Sequence, residues 1–213
     1  MPSTTRRRLL ASIAAGTAVG SAGCAGQLPG TSPRRVDAAE TGEGDELVWQ
    51  YPESEIAEHS EGIGYAAIEY EGEQDRSGTR SALEFGLNTT VGGIAASEAY
   101  SDYEADWARF RLGPPAEYAA NHQYRMWVQP PPWPDVRAGY DRRAGREAFV
   151  VELPAIDTGG TITLPVLFGP VADTLPDRLH CSFSVQASDP GVLGESVRAS
   201  GRGTIDLGDT RSS

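Results

Sequence analysis

The chain contains no lysine. That removes the P-loop lysine, the Schiff-base lysine and the Ser–Lys nucleophile pair as sources of chemistry. Cysteine is nearly as scarce: Cys24 and Cys181 alone cannot build a four-thiolate zinc site or an iron–sulfur cluster. The three histidines, His59, His122 and His180, are scattered and show no HExxH or other tight ligand spacing. No GxSxG elbow, no GxGxxG after a strand and no EF-hand loop occurs. Positive charge is short as well. Eighteen Arg face 30 acids, a formal charge of −12, which argues against a nucleic-acid partner because phosphates reward basic surface. Neither a metal nor another cofactor is expected from this residue set. Loosely spaced triads and carboxylate pairs leave no mark in sequence, so the absences remove familiar enzyme classes without removing catalysis itself.

What is present fits one domain with appendages: 213 residues, 39% of them hydrophobic. The acid surplus without lysine resembles the composition of proteins from extreme halophiles, in which carboxylates keep a chain hydrated once salt has screened long-range repulsion. A GC-rich genome favouring Arg codons is a compatible reading.

Residues 1–23 read as an export segment. Thr5-Arg6-Arg7-Arg8-Leu9-Leu10 is a charged start, and the small, mildly apolar stretch after it is too short to span a bilayer. Ser21-Ala22-Gly23-Cys24 follows. The segment resembles a twin-arginine signal peptide followed by a lipobox, as in haloarchaeal lipoproteins, with Ser21 where that family usually carries an aliphatic residue. The resemblance implies export in the folded state and a lipid on Cys24 that anchors the mature chain to the outer side of the membrane. Removing residues 1–23 leaves 15 Arg against 30 acids. Residues 24–46 then read as a lipidated Cys and a disordered acidic linker. About 22 such residues span about 25 Å as a coil, enough to stand a domain clear of lipid head groups.

From residue 47 to 208 the period is two. Leu179, Cys181, Phe183, Val185 and Ala187 share one face, against His180, Ser182, Ser184 and Gln186. Residues 196–207 repeat the pattern, and Asp189-Pro190-Gly191 makes the two runs a hairpin. Further runs lie at 47–51, 66–70, 83–91, 124–128, 149–153 and 162–168. Pro165 in the last of these predicts an edge strand. The sum is an all-β, antiparallel, Ig-like β-sandwich of about seven to nine strands, followed by a short tail at 209–213. Residues 97–107 are either a helix capped by Ser97, with Tyr100, Tyr103 and Trp107 at helical spacing, or an acidic loop.

Several residues carry candidate chemistry. Cys181 alternates with core residues and reads as a buried thiol. A copper site beside it lacks the His and Met that must closely follow such a Cys. Asp157-Thr158-Gly159 matches the aspartic-protease triplet, which makes an extracellular hydrolase the alternative to a non-catalytic module, yet the same residues are natural in a hairpin turn. Asn88-Thr89-Thr90 is an N-glycosylation sequon with Asn88 on an outward strand face. The stretch from Arg125 to Arg146 concentrates Trp127, Trp133, Arg137, Tyr140, Arg142, Arg143 and Arg146 around three consecutive prolines. Two readings stay open for it: a basic, aromatic binding loop for an envelope protein or glycan, or a Pro-stiffened connection whose Arg residues pair with nearby acids.

Overall fold

The structure is a computed structural model and describes residues 32–40, 44–51, 62–76, 79–93, 96–129, 135–143, 146–170, 175–190 and 195–208. The export segment, Cys24, Trp133 and the 209–213 tail lie outside the described residues. What is described belongs to one compact unit, Thr31–Ser213.

Alternating side chains build two six-stranded sheets with one core between them. Sheet I runs, in spatial order, β1 (Arg34–Asp37), β12 (Ser196–Asp206), β11 (Arg178–Ser188), β6 (Glu104–Gly113), β9 (Arg146–Leu153) and β8 (Arg137–Arg143). Sheet II runs β2 (Ala39–Glu40), β3 (Glu46–Tyr51), β4 (Gly64–Arg76), β5 (Thr79–Val91), β10 (Thr161–Pro170) and β7 (Tyr124–Val128). Every pairing is antiparallel except β1 on β12, which is parallel. The antiparallel sandwich read from the sequence is therefore what forms.

The core interlocks large residues on one sheet with glycines on the other. Leu47, Trp49 and Tyr51 of β3 point inward and are buried. Opposite them, β12 carries Gly201 and Gly203 at inward positions. A Cβ on Gly201 would lie 2.2 Å from Trp49 Cδ1, and one on Gly203 would lie 2.7 Å from Leu47 Cδ2. Phe183 of β11 stacks on both Trp49 (6.1 Å between ring centroids) and Tyr51 (5.8 Å), and tilts against Phe110 (5.0 Å). The Trp49 indole N–H is buried with no acceptor among the described residues. Such an orphan costs about 1–3 kcal/mol, which burial of the ring system offsets.

Four sequence expectations need correction. The described residues hold twelve strands rather than seven to nine, because β1, β2, β6 and β8 carry no clean alternation. The acidic linker does not extend to residue 46, since β1 and β2 pair through their backbones with the free edges of β12 and β3. That pairing needs almost no apolar side chain beyond Val36. Residues 97–107 are neither a helix nor a loop throughout: a 3-10 turn at Glu98–Tyr100 leads into β6, on which Trp107 lies. The register shifts at Gln186/Ala187, where Asp106 is the extra residue, so inward positions pass from Ala105 to Ala108; Trp107 faces outward and does not share a side with buried Tyr103.

The fourth correction concerns Pro165, which is not on an edge. Strand β10 lies between β5 and β7. The Pro165 carbonyl accepts the Gln129 N–H (3.1 Å), just past the end of β7. A residue's N and C=O point to the same side of a strand, so the missing N–H falls where β7 gives out and costs the β5 ladder nothing.

Replacing Gly201 with Ala is expected to destabilise the fold by about 1–3 kcal/mol in urea unfolding, because the added methyl meets a fully buried indole. Gly139→Ala, where a Cβ meets nothing within 4 Å, is the matched control and should leave stability unchanged.

Candidate binding face

Alternation on β6 sends Ala108, Phe110 and Leu112 inward, so Trp107, Arg109 and Arg111 face outward from sheet I. Strand register then aligns three rows across the sheet. One runs Arg202, Ser182, Arg111, Val150, Gly139; the next runs Ser200, Ser184, Arg109, Glu152, Arg137; the third runs Arg198, Gln186, Trp107. At about 4.8 Å between strands, the five-stranded rows span about 19 Å.

The rows carry distinct electrostatics. Arg111 Nη1 donates to Asp141 Oδ2 at 2.9 Å, and Arg109 Nη2 pairs with Glu152 Oε1 at 2.5 Å. The Arg109 Nε–H is shielded and has no acceptor among the described residues. The guanidinium groups of Arg109 and Arg198 lie over the Trp107 ring, 5.8 and 5.1 Å from its centroid. Asp106, the extra residue of the bulge, is tied down by Gln186 Nε2 (3.0 Å) and Ser188 Oγ (2.9 Å). Exposed Arg137 and Arg202 have no ion-pair partner among the described residues.

Over β6, β9 and β8 the face sinks into an open concavity of about 390 Å³, rimmed by Arg109, Arg111, Arg137, Asp141 and Glu152 around Val150. Gly139 creates it. In the row Arg111, Val150, Gly139 the last position has no side chain, and the space a Cβ would take is open.

The opposite face has the opposite sign. Glu46 stands directly across from Glu69 on the outside of sheet II. Glu71 folds its carboxylate over Gly86, where a Cβ would lie 2.7 Å from Oε1. Partial burial, with Glu69 and Glu84 adding repulsion, pushes the Glu71 carboxyl above its ordinary range.

The residues singled out in the sequence separate. The expected basic loop is in part a hairpin: Arg137, Tyr140, Arg142 and Arg143 lie on β8, and Arg146 opens β9. Alternation splits them. Arg137 joins the outward rows, whereas Tyr140 turns to the inner side, packs on Phe149 (5.4 Å) and accepts the Met126 N–H. Arg142 pairs with Glu147 at 2.9 Å. Trp127 lies on the other sheet, its ring against Gly169 of β10, where a Cβ would lie 2.8 Å from Cη2. Asn88 is half-buried on the outward face of β5 between Ala67 and Thr163.

Asp157-Thr158-Gly159 forms a turn. The Asp157 carbonyl accepts the Gly160 N–H (2.8 Å), Thr158 Oγ1 donates to the Asp102 carbonyl (3.1 Å), and the Gly159 N–H donates to Val91 O (2.8 Å). Gly159 has φ of 69° and packs against Gly93, so the turn accounts for Thr158 and Gly159 of the triplet. Cys181 is buried and His180 is exposed, as alternation requires. Among the described residues no group of three or more His, Cys, Asp or Glu gathers to hold a metal, and no helix is long and apolar enough to cross a membrane.

No family model matches the chain, and no curated protein matches it. Among solved structures it is similar to the cohesin module of a family 33 glycoside hydrolase from Clostridium perfringens. The identity is 10% and the TM-score 0.35, over 68% of this chain and 96% of that one.

Burial pushes the Cys181 thiol up to about 12. Thiol-directed labelling of the folded protein at neutral pH should therefore be slow at Cys181 and become fast only on unfolding; prompt labelling would place the thiol at the surface. Glu71 has the reverse sign from a paired carboxylate. Its raised folded value makes protonation stabilising, so stability is lost as pH rises from the ordinary carboxylate range through that value. Glu71→Gln should raise the melting temperature at neutral pH in low salt, and by less at acidic pH or in molar salt.

Proposed function

We propose that the chain is a non-catalytic binding module of the cell envelope, exported by the twin-arginine route and held outside the membrane by lipid on Cys24. The N-terminal Arg6-Arg7-Arg8 and Ser21-Ala22-Gly23-Cys24 support the export and anchoring half. The binding half rests on one observation: Trp107, on the outward face of sheet I, lies beneath two guanidinium groups in a chain whose net charge is −12. Trp and Arg are the side chains that most often dominate binding energy, and here a fixed β-scaffold aligns them. The filled core supports the same reading, since Trp49, Phe110 and Phe183 occupy the space between the sheets and leave contact to the outer faces.

Fractionation of cells expressing Cys24→Ser tests the anchor. The protein should move from the membrane pellet to the medium, and persistence in the pellet would show that something else holds it. The released protein then tests the face on washed envelopes. Trp107→Ala combined with Arg198→Ala should reduce retention more than tenfold. Retention equal to that of the parent would remove this face from the function.

A further inference from the structure

We propose that the concavity on sheet I is a subsite for an anionic polysaccharide, a hydroxyl-rich chain bearing carboxylate or sulfate groups. The inference rests on the binding-module reading and assigns its ligand class. Its rim decides the chemistry. Arg137 is exposed and offers a guanidinium fork with no ion-pair partner among the described residues. That fork calls for an anion. The same rim carries two carboxylates, Asp141 and Glu152, each held by an Arg. Those carboxylates accept hydrogen bonds from hydroxyl groups, which poly-glutamate side chains do not offer. A ligand that satisfies the whole rim therefore bears hydroxyls and negative charge together, as an acidic sugar does.

Size and position agree. The concavity, about 390 Å³, lies within the range of small-ligand sites. The outward row through it continues from Gly139 and Val150 past Arg111 to Arg202, so a linear polyanion lying along that row meets a further cation across about 19 Å. Gly139 contributes no side chain to this rim, and the space a Cβ would take there is open.

Titration calorimetry of the full chain with polygalacturonate, dextran sulfate, neutral dextran and poly-glutamate tests this. One or both of the first two should bind, which identifies carboxylate or sulfate as the anionic group. Neutral dextran and poly-glutamate should bind at least about tenfold more weakly. Gly139→Leu, which fills the opening where a Cβ meets no atom, and Arg137→Ala should each weaken binding about tenfold. An unchanged melting temperature certifies the fold of each variant. Arg125→Ala, an exposed cation on sheet II, should change nothing.

Equal binding of poly-glutamate, or indifference to both Gly139→Leu and Arg137→Ala, would overturn the assignment. So would failure of both anionic glycans. If they fail while the parent protein is still retained on envelopes, only the ligand class falls; if retention fails too, the binding-module reading falls with it.

Discussion

The Trp49 indole occupies the space that a side chain on Gly201 would need, and Phe183 closes over it from the neighbouring strand. Much of the architecture follows from that contact. A bulky ring on β3 facing a bare position on β12 brings those two strands close, at one edge of the sandwich. The chain then passes from β1 in sheet I to β2 in sheet II across Ala38 alone, which packs against the core. With β1 laid beside it, β12 is an interior strand. Arg198 therefore projects from a flanked stretch of strand, and not from a fraying edge.

The candidate binding face is the reverse side of the same packing. Phe110 cannot enter the core unless Arg109 and Arg111 leave it, and Val151 facing inward puts Val150 and Glu152 outward. The bulge at Asp106 adds a local departure from strict alternation. It lets Asp106 and Trp107 act on one side consecutively, with Gln186 and Ser188 holding the carboxylate in place. Selection on the core and selection on the face are thus coupled through the period of two.

How much of this was legible depended on which physical signal each element carried. Strand β11 buries every second residue and β5 carries apolar residues at every second position from Leu83 to Leu87, so Leu83 to Val91 and Leu179 to Ala187 were plain in the sequence. Cys181 and the Asp157 turn were legible for the same reason, since alternation and turn chemistry are local. Strand β6 was not, because its bulge breaks parity between Ala105 and Ala108. Strand β1 was not, because an edge strand can pair by backbone alone. The face itself was half visible. Arg137 stood out in an Arg-rich stretch, but its companions Trp107, Arg109, Arg111, Arg198 and Arg202 arrive from strands distant in sequence. The outward positions of Trp107, Arg109 and Arg111 between Ala108, Phe110 and Leu112 were the signal available, and reading it required the bulge to be recognised first.

The charge distribution constrains when such a face can work. Sheet I gathers Arg beside its acids, whereas sheet II sets Glu46 against Glu69 and crowds Glu71 toward Glu84. In dilute salt, with a screening length of about 30 Å at 0.01 M, an anionic partner meets the field of the whole acidic chain before it reaches any guanidinium. At 1 M the length shrinks to about 3 Å, and the far acids no longer count. What survives is contact chemistry: forked hydrogen bonds from Arg137, the two cations over Trp107, and whatever hydroxyls reach Asp141 and Glu152. The same screening relieves the repulsion on sheet II. A strongly acidic composition and the proposed anion-binding face are therefore physically compatible in molar salt, since salt suppresses the long-range penalty of both while leaving short-range recognition in place.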